Sequence, residues 1–567
     1  MLMLSVMSSA TPTPPHAPRA PRTPRLPVAG VLRPGRPSGI WFKPAISVVV
    51  AAAPPNLLLV ALGRLDLALY TMAGSLCALY AHNRPYAARA KVLAGVVAGM
   101  VGSLGVALLA ASLTRHAVLL VTVGAVLAAV QKVVCDATRI GPPGHVILVF
   151  VSSAALFMPQ TPGQLPGHLG LALAAGAWAW LVGMAPAPFR PHGPERRATA
   201  QALNAAAAYA EAARSGAIGT RASAYAAVQA AWQTLLAGGA RSATRDALER
   251  LVVRAEVALA DPAAADPARL RARARALRGT GPVPPADDLG GAAAGLLGTA
   301  AERTAPPRPL RTRLGPLTPI AVRTALGCAL AGYASLALGI GRPYWALVTA
   351  ASLYQANITL TWGRTVQRVV GNLLGVLLFA AVAPLAHLSP LALVLCCLVF
   401  NFGAEALISR NYWLGTVCVT PLALLVTEFA GHQRTDALVA ERVIDTLVGA
   451  LVGFAAALAV TNRRAGSRVE HALAAADAAR EDTARLLAGP HPDPAALEEA
   501  RRRLTAALVG LRDAADAAAG EWWQRALPQE RVVRAEQAGH RTLAATVRRQ
   551  GLLAGSGTGT HTEDARP

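Results

Sequence analysis

The stretch GRPYWALVTAASLYQANITLTWGRTVQRVVGNLLG, residues 341–375, begins as a membrane helix and then stops behaving like one. From Tyr344 to Tyr354 it is nearly all apolar. Gln355, Asn357, Thr359 and Thr361 follow, then Arg364 and Arg368, before an apolar run resumes at Val369. Irregular backbone at membrane depth is tolerated only where it is buried in protein or lines a cavity. The interruption therefore reads in one of two ways. It is a wall of a permeation path, or it is an ordinary loop after a short, tilted helix.

The rest of the chain supports the membrane reading. It has 567 residues, 54% hydrophobic and only 15% charged, a profile of polytopic membrane proteins rather than soluble domains. The net charge of +23 raises nucleic acid as a partner, but the positions of the charges account for it otherwise. The six cysteines, Cys77, Cys135, Cys328, Cys396, Cys397 and Cys418, lie in or beside apolar runs with no metal-ligand spacing. The three lysines, Lys43, Lys91 and Lys132, never follow a glycine, so no phosphate-cradling G-K-[ST] loop exists. No nucleophile–base or metal constellation is present either. The sequence calls for no cofactor and points away from an enzyme.

Apolar runs fall in two blocks. Spans are predicted at 44–62, 66–81, 92–113, 117–136, 144–159 and 167–186, and again at 319–340, 344–358, 366–386, 389–408, 411–429 and 440–460. With the N-terminus inside the cell, the inner connections carry Arg84, Arg89, Lys91, Lys132, Arg139, Arg190, Arg196, Arg197, Arg364, Arg368, Arg410, Arg463 and Arg464. The outer ones carry only Arg64, Arg115, Arg342, Arg434 and Arg442. That asymmetry follows the positive-inside rule and puts both termini in the cytoplasm.

The domain reading is a disordered basic tail over 1–43, a six-helix membrane bundle over 44–186, and a cytoplasmic helical region with a Pro/Gly linker over 187–318. A second six-helix bundle covers 319–461, a second cytoplasmic helical region 462–555, and a disordered tail 556–567. The run RARARALR (271–278) spreads arginines around a helix, as on a solvated face or against anionic lipid. The EWW at 521–523 reads as docking into the second polar region. The fold class is all-α polytopic membrane protein. The halves look repeated: Pro44 matches Pro319, Tyr70–Tyr80 matches Tyr344–Tyr354, Gly95 and Gly99 match Gly371 and Gly375, and Arg139–Gly144 matches Arg410–Gly415. The shortest spans, 66–81 and 344–358, fall at the same place in each half and end in AHNRPYAAR (81–89) and QANITLTWGR (355–364). Matched interruptions in two repeats point to a binding site.

Candidate binding residues gather around the second interruption. Gln355 and Asn357 supply amides. Arg364 and Arg368, at i and i+4, share a helix face and suit a carboxylate, although headgroup anchoring explains them as well. Glu405 lies one turn inside its predicted helix end with Asn401 a turn deeper on the same face. An intramembrane acid of this kind marks a proton or ion path, or is satisfied by Arg410 or Arg364. Asp445 and Glu428 read as loop-end charges.

Residues 341–384 (GRPYWALVTAASLYQANITLTWGRTVQRVVGNLLGVLLFAAVAP) with 410–425 (RNYWLGTVCVTPLALL) resemble the core of the FUSC family, the fusaric-acid-resistance-like and aromatic-acid-exporter group. The shared elements are Tyr344–Trp345, the segment from Arg364 to the glycine-rich helix at Gly375, Asn411–Tyr412 and Thr420–Pro421. The resemblance implies a bacterial inner-membrane exporter of small organic anions, aromatic carboxylic acids in particular, related in build to plant malate-type anion channels. It adds Asn411 and Tyr412 to the site. A passive anion channel and a non-transport envelope scaffold remain as alternatives. The partners expected are the organic anion and membrane lipid, not nucleic acid; a homo-oligomer or an envelope partner stays open.

Overall fold

The computed structural model describes residues 30–35, 39–215, 221–238, 242–260, 262–263, 265–285, 314, 317–355, 357–431, 433–460, 465–490, 492–518 and 529–556. The EWW motif, most of the linker and the C-terminal tail lie outside the described residues. Within them the chain is helical, with no strand. The first block comprises α1 (Phe42–Ala61), α2 (Ala68–Ser75, prolonged by a 3-10 turn to Leu79), α3 (Tyr86–Leu113), α4 (Ala117–Thr138), α5 (Val146–Leu156) and α6 (Leu165–Met184). Four polar helices follow: α7 (Gly193–Arg214), α8 (Arg221–Leu236), α9 (Ala243–Ala260) and α10 (Pro267–Ala276). The second block comprises α11 (Thr318–Ala337), α12 (Tyr344–Leu353), α13 (Ile358–Ala386), α14 (Pro390–Ile408), α15 (Tyr412–Thr427) and α16 (Thr435–Ala459). The polar helices α17 (Ala465–Ala488), α18 (Pro494–Ala518) and α19 (Gln529–Ser556) end the described chain.

Among the described residues, eight helices are long and apolar enough to cross a bilayer: α1, α3, α4, α6, α11, α13, α14 and α16. Leu65–Leu79, Val146–Leu156, Tyr344–Leu353 and Tyr412–Thr427 are apolar but shorter. This is an integral membrane protein. The order long, short, long, long, short, long runs through both blocks.

Packing follows one plan in each block. The second helix lies on the sixth (α2 on α6, α12 on α16), and the third lies on the fifth (α3 on α5, α13 on α15). Small residues permit these approaches, because lipid gives apolar side chains no reason to prefer one another and close van der Waals contact must hold the helices. A Cβ on Gly74 would stand 2.2 Å from the Ala172 carbonyl oxygen, and one on Gly449 would stand 2.5 Å from that of Ala346. The blocks meet along α4–α11 and α1–α14. Between α13, α15 and α16 a buried polar knot replaces apolar packing. Asn372 Nδ2 donates to Thr446 Oγ1 at 3.0 Å, and Thr420 Oγ1 donates to Asn372 Oδ1 at 2.6 Å.

Several boundaries differ from those expected, each for a local reason. α3 and α13 start at Tyr86 and Ile358 rather than at 92 and 366, because Pro85 and Asn357 begin them; Asn357 Oδ1 accepts from the Leu360 amide at 2.8 Å. Arg89, Arg364 and Arg368 therefore lie within helices. α16 starts at Thr435 rather than 440, with Asp436 in its first turn. Arg442, expected in an outer loop, is 1% exposed, and Asp445, expected as a loop-end charge, is 0% exposed. Glu428 ends α15 but is also buried, paired with His387 at 3.0 Å. Lys132, assigned to a connection, sits in α4 bound to Asp136 at 2.7 Å.

The basic tail is not wholly without structure. The Val31 carbonyl accepts from Gln367 Nε2 (2.9 Å) and Asn411 Nδ2 (3.0 Å), and the Leu32 carbonyl accepts from Trp413 Nε1 at 2.9 Å. Residues 30–35 are thus laid across the starts of α13 and α15. In α10, Arg271 pairs with Glu211, while Arg273 is buried, so the arginine run is not simply a solvated face. The two polar regions touch where α19 meets α9 and where His540 stacks on Tyr225 with ring centroids 3.8 Å apart.

Candidate functional site

Both short second helices stop at a tyrosine. Tyr80 and Tyr354 leave the helix in extended backbone (φ −90°, ψ 154° and φ −67°, ψ 112°), each 1% exposed. Their hydroxyls donate to carbonyls, Tyr80 to Gly144 at 2.6 Å and Tyr354 to Gly453 at 3.1 Å. Ending a helix here frees backbone groups that lipid cannot satisfy. In the first block Arg89 answers two of them and also holds α6. Its Nε donates to the Ala81 carbonyl and its Nη1 to that of Gly183, both at 3.0 Å, and its Nη2 reaches the His82 carbonyl. His82 Nε2 lies 2.9 Å from the Ala78 carbonyl, and Ala81 itself takes a left-handed φ of 63°.

The second break is satisfied differently. His145, from the first block, places Nε2 3.0 Å from the Ala351 carbonyl; a carbonyl only accepts, so that nitrogen carries the proton. The Gln355 amide donates to Thr361 Oγ1 at 3.2 Å, and Gln355 Nε2 donates to the Tyr354 carbonyl at 3.2 Å. None of this uses Arg364 or Arg368. Their charge is left for the space in front of them.

That space is a cavity of about 1210 Å³ between the blocks. Of the residues expected at the site, Gln355, Arg364, Arg368, Asn401, Glu405 and Tyr412 all line it. Arg364 lies over the Tyr412 ring, 3.8 Å from its centroid, and Arg368 Nη1 donates to the Tyr412 hydroxyl at 3.1 Å. Glu405 forms no ion pair among the described residues, with Arg410 and Arg364 included. Asn357 and Asn411 fall elsewhere. Each is a helix N-cap, Asn411 also holding the Val31 and Arg33 carbonyls, and neither lines the cavity. Their polarity serves the backbone.

Arg442 also lines the cavity and was not among the expected site residues. Its guanidinium lies over Trp345, 4.0 Å from the ring centroid, a cation–π contact that gains strength when desolvated. Arg442 Nε and Nη1, Arg368 Nε and Asn401 Nδ2 are buried donors without a hydrogen-bond partner among the described residues. The signal in the sequence was an arginine followed by a long apolar stretch, VIDTLVGALVGF, which a helix start at 440 hid. Among the charged residues of the wall cations prevail: Arg84, Lys132, Arg139, Arg364, Arg368 and Arg442 against Asp136 and Glu405. Such a set, with unfilled N–H groups beside aromatic faces, suits a small anion with a flat apolar body.

The comparisons agree with this region's motifs. Residues 329–456, which contain α12 to α15 entire, match the family described as fusaric acid resistance protein-like. The chain is also similar to the uncharacterised membrane protein YvaC of Bacillus subtilis, 28% identical over 193 residues, or 33% of this chain and 29% of that protein. An uncharacterised protein of Haemophilus influenzae is 32% identical over 132 residues, 23% of this chain and 17% of that protein. The matched stretches thus span less than a third of either relative. No solved structure matches.

Arg89→Leu should destabilise the fold by at least about 1–3 kcal/mol, because it strands buried carbonyls. Lysine, with one reachable head in place of a fork, should restore only part. Thermal unfolding in detergent measures both; a wild-type midpoint for Arg89→Leu would remove Arg89 from the account of the break.

Proposed function

We propose that the chain is a permease for small organic anions, exporting aromatic carboxylic acids or similar toxic compounds. The observation that carries this reading is the pair of buried arginines, Arg368 and Arg442, facing the cavity with N–H groups unfilled. Leaving charged donors unpaired is costly unless something else completes them. A carboxylate does so with two oxygens, and the aromatic rings of Tyr412 and Trp345 beside the arginines match a flat substrate body. The cavity volume accommodates one such molecule with room for water.

The outward direction needs no fuel. A cell negative inside favours exit of an anion by about 2.3 kcal/mol per charge per 100 mV. Glu405, facing the cavity without an ion pair, favours a second version in which proton movement accompanies the anion. The equal order of long and short helices, and the equal pairing of second with sixth and third with fifth, support a duplicated six-helix bundle. Six crossings per half would put both halves in one orientation. The family resemblance supports a bacterial inner membrane, and the arginine asymmetry supports termini and residues 187–318 on the cytoplasmic side.

Arg368→Ala should lower flux per folded molecule by roughly ten- to a hundredfold, the equivalent of a charge-assisted hydrogen bond of about 1.5–3 kcal/mol. Arg368→Lys should recover part of it. Transport normalised to purified protein reads this; wild-type flux per molecule in Arg368→Ala removes the arginine from the path. For topology, a Ser242→Cys variant should resist membrane-impermeant thiol reagents in intact cells and react after permeabilisation. Labelling from outside reverses the orientation.

A further inference from the structure

The cavity has a wall that does not come from the membrane blocks. Ala230, Gln233 and Thr234 of α8, with Ala237 just past its end, line the same space as Arg364 and Glu405. Their spacing is i, i+3, i+4, i+7, so they form one helix face. The other side of α8 is spent on its own bundle, where Ala224, Val228, Ala231, Trp232 and Leu235 are buried. Trp232 Nε1 donates to Glu256 Oε1 at 2.8 Å, tying α8 to α9. The cavity face is therefore held in place from behind.

Its chemistry is not that of a docking face. A helix that merely rested on the membrane block would present large apolar knobs. This face offers two alanines, a hydroxyl and an amide. The Thr234 hydroxyl donates back to the Ala230 carbonyl at 2.7 Å, which leaves the Gln233 amide as the available donor; its side chain has no hydrogen-bond partner among the described residues. Across the same mouth Ser409 Oγ is buried without a partner among the described residues, and Asn83 and Arg84 add polar groups.

We propose that α8 forms part of the cargo site, with Gln233 contacting the bound anion and limiting its size at the mouth of the cavity. This rests on the permease reading above. The polar helical region is then part of the transport pathway rather than an appendage.

The test uses the full chain in liposomes with benzoate and 2-naphthoate. Gln233→Trp should lower 2-naphthoate flux about tenfold relative to benzoate, a discrimination typical of a reshaped pocket. Gln233→Ala, which removes the amide contact and opens the mouth, should lower benzoate flux about two- to fivefold and raise the ratio of 2-naphthoate to benzoate flux. An unchanged ratio of the two acids in Gln233→Trp overturns the proposal while leaving the permease reading intact. If wild type moves neither acid, these two are not its cargo, and a readout without flux decides the wall. A Gln355→Cys variant, with the six native cysteines replaced by alanine, is labelled with small and bulky maleimides. Gln233→Trp should slow the bulky reagent about tenfold and spare the small one. Equal slowing or none overturns the assignment. Thermal unfolding confirms that each variant is folded before either comparison.

Discussion

A helix that ends inside an apolar environment must hand every freed carbonyl and amide to a partner, because no water is there to take them. The architecture around Tyr80 and Tyr354 follows from that constraint. Each tyrosine turns out of its helix and anchors its hydroxyl on a carbonyl of another element. His82, His145, Gln355 and Thr361 supply the remaining partners. Because His145 comes from the first block and serves a carbonyl of the second, the two blocks cannot separate without exposing it.

The two breaks solve the same problem with different groups, and this difference makes the site. In the first block Arg89 is consumed by three carbonyls. In the second, amides, a hydroxyl and a histidine do that work, so Arg364 and Arg368 keep their charge for the cavity. Tyr412 sits beneath one and accepts from the other. The polar knot of Asn372, Thr420 and Thr446 then fixes α13, α15 and α16, which carry Arg368, Tyr412 and Arg442, against one another. Pro421 has no N–H to offer the Val417 carbonyl, and Gly375 lies close to that carbonyl; a Cβ there would come within 2.9 Å.

Much of this was legible in the sequence because the break is a change of chemistry within an apolar run. Gln355, Arg364, Arg368, Asn401, Glu405 and Tyr412 share the cavity as the helix spacing required. Asn357 was legible as a polar residue of the interruption and Asn411 as one at the start of a predicted span, but an amide that caps a backbone cannot be told from one that meets a ligand without the backbone in view. Arg442 and Asp445 escaped because hydropathy marks where an apolar run begins, not where a helix begins, and α16 starts ahead of its apolar core. The docked residues 30–35 escaped for a different reason. They are held by their backbone carbonyls, which no side-chain pattern records. The α8 face was hidden in the same way, since small residues on an Ala-rich helix give no sign of what they front.

The central claim is that the cationic cavity between the blocks is a path for organic anions. Its most direct test is the purified chain in liposomes, with a potassium gradient and valinomycin setting the membrane potential and a panel of aromatic carboxylates inside. The account predicts protein-dependent efflux that rises as the interior is made negative and is absent for amide analogues lacking the carboxylate. Efflux no faster than from protein-free vesicles at every potential, across the whole panel, would contradict it.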